Sequence, residues 1–163
     1  MSAVSDLEKE YVRKHPGSKQ LYDRALKCYA SGVSHDARYA KPFPIYMAKA
    51  DGTKKLDVDG NEYVDFVMGH GALLFGYNDE RLRSAIERVL SNIHLGSCNE
   101  LEVEWAEMIK KLVPCARDGL VRAWACGGEA IMMAVRLSRI HTGKEKMVIN
   151  EGCYHGTWEE VNW

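Results

Sequence analysis

The segment Val121–Leu137, VRAWACGGEAIMMAVRL, combines a short apolar run, the pair Gly127-Gly128 and an uninterrupted helical pattern. A strand that turns on glycines into a helix start presents unpaired backbone N–H groups and the positive end of the helix dipole. That is the chemistry that holds a phosphate. The same turn also serves as a plain strand-to-helix connection. No Lys-Ser/Thr follows the glycines, and no second loop glycine stands at dinucleotide-binding spacing, so a nucleotide phosphate is not expected. The 6 histidines are scattered without metal-ligand spacing, and Cys28, Cys98, Cys115, Cys126 and Cys153 contain no CxxC. The pattern predicts no metal site, no disulfide framework and a reducing, cytoplasmic compartment.

The elements that would position this turn can be read from apolar spacing. Residues 6–30 read as helix broken at His15-Pro16-Gly17, with Leu21, Ala25, Cys28 and Tyr29 at helical spacing. Gly32, Pro42 and Pro44 make the next segment irregular. From Tyr46 to Phe66 short strands alternate with turns, and Asp51-Gly52 and Asp59-Gly60 are hairpin signals, which predicts a small antiparallel meander. Gly69, Gly71 and Gly76 sit inside an apolar stretch, VMGHGALLFGY, where close backbone approach is expected. A helix over 79–92 would bury Leu82, Ala85, Ile86, Val89 and Leu90. A second opens at Asn99 with Glu102 three residues on, would bury Leu101, Trp105, Met108, Ile109 and Leu112, and ends at Pro114. Strand 120–125, helix 128–142 and strand 146–150 then read as a βαβ unit with parallel strands.

With 163 residues, 46% apolar and a net charge of −1, the chain has the balance of a globular protein and no basic footprint for nucleic acid. The N-terminal stretch is charged from Asp6 onward, so a secretory signal is not expected there, and no apolar run approaches the ~20 residues of a membrane span.

From Ser31 to Gly156 the sequence resembles the class III pyridoxal-phosphate (PLP) aminotransferases, and within them the glutamate-1-semialdehyde aminomutase branch. The resemblance is carried by SGVSHDARY, LDVDGNEYVDFVMGHGALLFGY, NELEVEWAEMIKKLVP, VRAWACGGEAIMMAVRLSRIHTGKEKMV and EGCYHG, in the family's order. It implies an α/β, fold-type I architecture. Residues 1–75 would be the N-terminal share of the small domain, with helices and β-meander. Residues 76–163 would begin the large PLP-binding domain with its parallel sheet. It also implies a homodimer that moves an amino group between an amino acid and an amino-aldehyde or keto substrate, with neither a nucleic-acid nor a membrane partner. Cys126, Gly127 and Gly128 fall on the cofactor phosphate loop. Tyr154 matches the aromatic residue that lies against the pyridine ring, and His155 and Gly156 complete its motif. Arg38 matches an arginine that meets the substrate carboxylate, for which a planar fork of donors is suited. His70 falls where the family places a substrate-pocket aromatic. Each side chain has a plainer reading as well: Tyr154 as a half-buried core aromatic, Arg38 as a surface loop residue and His70 as packing.

Two departures from the family pattern stand out. Its phosphate loop usually reads Asn-Ser-Gly-Thr-Glu-Ala, where this chain has Ala125-Cys126-Gly127-Gly128-Glu129-Ala130. Both hydroxyl donors are gone while the backbone donors survive, so binding of PLP is expected to be weakened. The family's Schiff-base lysine and the aspartate that pairs with the pyridine nitrogen lie downstream of the matched region, and no lysine here has the expected context. No catalytic residue is therefore named, and the 163 residues alone are expected to be inactive. The alternative is a truncated, non-catalytic fragment that acts at most as an association or binding module.

Overall fold

The computed structural model describes residues 3–91, 96–159 and 161. They fall into two compact units, Met1–Ile93 and His94–Trp163.

In the first unit Pro16 sets the opening geometry. Its ring and missing N–H stop helix α1 (Ala3–Lys14) and suit the first position of α2 (Pro16–Ala25). His15, between them, has non-helical φ/ψ of −128° and 51° and gives α2 no side-chain cap. The cap comes from far along the chain instead. The Asp59 carboxylate accepts the N–H groups of Gly17 and Ser18, and a Cβ on Gly17 would lie 2.8 Å from that carboxylate. Glycine is required there for the contact rather than for its torsions.

Asp59 belongs to the meander, which follows the sequence expectation: β1 (Met47–Asp51), β2 (Lys54–Asp57) and β3 (Glu62–Val64), antiparallel in the order β1-β2-β3. Lys55 pairs with Ala50 on one side and Tyr63 on the other, and a bulge lies between Met47 and Lys49. Gly52 and Gly60 take the positive φ values that the hairpin turns need. Helix pair and meander join through polar groups. Asp57 is 1% exposed and accepts from the N–H groups of Asp59 and Asn61, the Asn61 amide and the Tyr63 hydroxyl. Burial alone would raise the Asp57 pKa, but these donors outweigh it and hold the carboxyl below its ordinary value. The Ser18 hydroxyl, fully buried, accepts the Tyr46 N–H. Phe43 is the apolar centre, 1% exposed, flanked by the rings of Tyr11 and Tyr22.

The expected close approach is present at Gly76. Its neighbour Tyr77 exchanges two backbone hydrogen bonds with Gly52, and a Cβ on Gly76 would lie 2.7 Å from the Gly52 carbonyl oxygen. Between β3 and this contact, Met68, Gly69, His70 and Gly71 all have positive φ and form a left-handed turn closed by the Gly71 N–H on the Val67 carbonyl. Asp65 anchors the start of that turn. Its carboxylate accepts from Lys55, from the Tyr77 hydroxyl and from the Val67 N–H, and the first two hold its carboxyl well below the usual carboxylate range. Helix α3 (Glu80–Leu90) follows, with Asp79 accepting the N–H groups of Arg81 and Leu82.

The second unit contains α4 (Glu100–Leu112) and α5 (Gly127–Thr142). The expected capping at Asn99 is present, its side chain accepting the Glu102 N–H. Gly143, at φ 66°, closes α5 in the left-handed conformation.

Two expectations are corrected. The apolar stripes of α3 and α4 are not buried: Leu82, Ile86, Leu90, Leu101, Trp105, Met108 and Leu112 are exposed, Leu112 by 67%. Helical periodicity marks which face a helix would bury, but a partner layer is needed to cover it. Residues 120–125 and 146–150 also form no β-ladder among the described residues, with Leu120 98% and Val148 94% exposed. A strand exists only by hydrogen bonding to a neighbour about 4.8 Å away, and these two segments do not pair with each other. The flanking helix forms because its bonds are internal.

Gly52→Ala is expected to cost ~1–2 kcal/mol, because a Cβ there meets open space and only the left-handed backbone is unfavourable. Gly76→Ala adds a clash to the same backbone strain and is expected to cost more than ~3 kcal/mol. Urea unfolding of the two variants separates these outcomes, and equal losses would contradict the close approach.

Candidate phosphate-loop site

The site is built on the first turn of α5. Cys126 is its N-cap residue, extended at φ −150° and ψ 166°, and its side chain makes no capping hydrogen bond. The helix begins at Gly127, one residue earlier than expected. Its first-turn N–H groups have no intrahelical acceptor by the geometry of a helix end. A Cβ on Gly127 would meet nothing within 4 Å, so space lies open beside these donors. Glu129 reaches back to accept the Ala125 N–H at 3.1 Å, half of a capping box displaced by one residue. That bond fixes the approach to the turn and places a carboxylate beside the positive helix end, where it also repels an incoming anion.

The turn is packed against a second segment. A Cβ on Gly156 would lie 2.9 Å from the Gly128 Cα, and Gly156 is buried at φ 103°. Two backbones meet with no side chain between them, which brings Tyr154-His155-Gly156 beside the helix start. Tyr154 is 77% exposed. His155 is half-buried and lines a groove of about 520 Å³ along α5, with Ile131, Val135, Asn150 and Val161. Trp158 packs against Gly156, and its buried indole N–H has no acceptor among the described residues.

Arg38 and His70 belong to the first unit. Arg38 ends a short 3₁₀ turn, Asp36–Arg38, is exposed, and donates to the Ser34 hydroxyl at 2.8 Å. It lines a cleft of about 890 Å³ with Tyr11, Tyr29, Tyr46 and Tyr77. His70 is exposed within the left-handed turn, at φ 57°. The sequence reading matched Gly156 to the motif but did not find its contact with Gly128. It also missed Trp158 and the Asp65 anchor. The only signal for the contact was a glycine at each of two distant turns.

Gly156→Ala is expected to push the two backbones apart and lower the thermal midpoint of the chain. Gly127→Ala, with open space and helical torsions, should leave the thermal midpoint within about a degree or two. Calorimetry checks both, and a neutral Gly156→Ala would refute the packing described.

Comparison with known proteins places this geometry. Residues 35–160 match the family model described as aminotransferase class-III. The glutamate-1-semialdehyde 2,1-aminomutase of Haloarcula marismortui is 41% identical over 149 residues, covering 90% of this chain and 33% of the relative. That of Chlorobaculum tepidum is 44% identical over 144 residues, covering 85% and 33%. This chain thus spans about a third of the length of the curated relatives it matches. Among solved structures, a β-phenylalanine aminotransferase from Variovorax paradoxus superposes with a TM-score of 0.87 at 28% identity, over 94% of this chain and 36% of that one. An omega-transaminase from Sphaerobacter thermophilus does so at 0.83 and 31%, over 92% and 34%. The architecture is therefore that of the fold-type I transaminases, and the chain belongs to the class III aminotransferase family.

Proposed function

We propose that this chain is the N-terminal part of a cytoplasmic, homodimeric PLP-dependent enzyme of the glutamate-1-semialdehyde aminomutase type. It would act on an amino acid or on an amino-aldehyde or keto substrate. The observation that carries this reading is the Gly128–Gly156 contact, which sets an aromatic motif beside an uncapped helix start in a class III chain.

The residues present fit the phosphate end of PLP. Gly127 and Gly128 would hold the phosphate through their backbone N–H groups, with the dipole of α5 adding to the attraction. Cys126 offers only a weak S–H donor where a hydroxyl would bind more strongly. Tyr154, its ring exposed, would offer a flat face to the pyridine ring, and His155 lines the groove along α5. Bound PLP supplies an electron sink for the charge left when a substrate C–H proton departs. By the family resemblance, Arg38 would meet a substrate carboxylate and His70 would shape a substrate pocket. None of the chain's own groups is assigned to move the proton, so residues 1–163 bind and orient without completing a reaction. Among the described residues no helix is long and apolar enough to cross a membrane.

Cys126→Ser with Gly128→Thr is expected to tighten PLP binding. Each restored hydroxyl contributes ~1.5–3 kcal/mol to a charged partner, or roughly tenfold or more in Kd. A Cβ at position 128 would lie 3.5 Å from the Gly156 Cα, an ordinary contact. Equal or weaker affinity in a titration would count against the loop assignment. Borohydride reduction of the 163-residue chain with PLP, followed by peptide mapping, is expected to leave every lysine substoichiometric, with no transaminase turnover. One fully modified lysine together with turnover would overturn the view that this segment binds without catalysing.

A further inference from the structure

The contact between the helix pair and the meander contains one more proton than a neutral histidine, a phenol and a carboxylate can supply. His15 is 6% exposed. Its Nδ1 lies 2.7 Å from the Tyr11 carbonyl oxygen, which only accepts, so Nδ1 carries a hydrogen. Its Nε2 lies 2.8 Å from the Tyr63 hydroxyl, which lies 2.9 Å from the Asp57 carboxylate. The row Nε2, Oη, Oδ2 therefore holds two hydrogen bonds, and the phenol brings a single proton to them. Either Tyr63 donates to Asp57 and Nε2 brings its own proton, or Tyr63 donates to Nε2 and Asp57 is protonated. A neutral ring beside a phenol and a carboxylate would leave two oxygens, or an oxygen and a nitrogen, facing each other with no hydrogen between them.

The other partners decide where the extra proton sits. Asp57 accepts three further N–H groups, from Asp59, Asn61 and the Asn61 amide, all of which favour the carboxylate. From the β2–β3 turn, Asp59 adds a second negative charge, engaged by Gly17 and Ser18. From α1, Tyr11 commits its hydroxyl proton to the Phe43 carbonyl, and Lys14 pairs with Glu10 at the surface. From α2, Lys19 pairs outward with Asp23. On β3, burial and then Asp57 push the Tyr63 phenol up to about 12, so it stays protonated through the neutral range. Among the described groups facing His15, the charges are the carboxylates of Asp57 and Asp59.

We propose that His15 is held as an imidazolium and acts as a proton-operated clasp between the α1–α2 pair and the meander. Its positive charge lies 3.7 Å from Asp57 and is bridged to it by Tyr63. When the proton leaves, one contact of the row is lost and the helix pair loosens. Tyr11, whose ring is 4.5 Å from that of His15, also walls the cleft that contains Arg38, so opening the clasp relaxes that wall.

The clasp needs the Nε2 proton, so it contributes to stability while that proton is bound and is lost as rising pH removes it. Long-range proton–nitrogen NMR of the 163-residue chain reads this directly, with His15→Gln assigning the signal. At pH 7 both ring nitrogens of His15 should be protonated, because both lie within hydrogen-bond distance of an acceptor. A neutral ring with Nδ1–H alone at pH 7 would overturn the proposal. In Asp57→Asn at pH 7 the Nε2 proton should be lost, and an unchanged doubly protonated ring in that variant would also overturn it. Urea unfolding between pH 6 and pH 9 should show stability falling with pH in the wild type and level in His15→Gln. Equal slopes would refute the clasp. The wild-type NMR measurement decides alone if either variant does not fold.

Discussion

A buried carboxylate must be fully hydrogen-bonded or it destabilises the fold by several kcal/mol, and Asp57 imposes that constraint on the whole first unit. Its oxygens take the turn N–H groups of Asp59 and Asn61, the Asn61 amide and the Tyr63 hydroxyl. Satisfying Asp57 thus shapes the β2–β3 turn, and that turn aims Asp59 at the open start of α2. The helix pair is seated by hydrogen bonds of fixed direction, with Phe43, Tyr11 and Tyr22 filling the space beside them. Apolar contact alone would permit sliding between helix and sheet, and this set of donors does not.

The second unit rests on the opposite principle, which is the absence of side chains. Gly128 and Gly156 approach until their backbones touch, and any Cβ on Gly156 would separate them. The helix start and the Tyr154 segment are therefore positioned by backbone contact. The donor pattern around the turn is made of N–H groups, which no substitution except proline removes. The backbone contact and the N–H donors of the turn therefore do not depend on the side chain of Cys126.

Large apolar side chains remain uncovered on α3, α4 and the segments flanking α5. Sheet segments and helix stripes of this kind are half of an interface by construction, since burial needs two layers. The curated relatives are about three times as long as this chain.

The sequence by itself determined the elements whose bonds are local. The break at Pro16, the meander with glycines at Gly52 and Gly60, the Asn99 cap, and α5 opening at the Gly127-Gly128 pair were legible because torsional limits and capping act within a few residues. The family motifs were legible for the same reason, each being a short run. Only the tertiary structure decided the contacts between distant turns. These were Gly128 against Gly156, Gly76 over Gly52, Asp59 capping α2, and the His15–Tyr63–Asp57 row. It also decided that 120–125 and 146–150 form no ladder among the described residues. A strand or a long-range hydrogen bond is a property of two segments, and spacing along one segment has no record of the other.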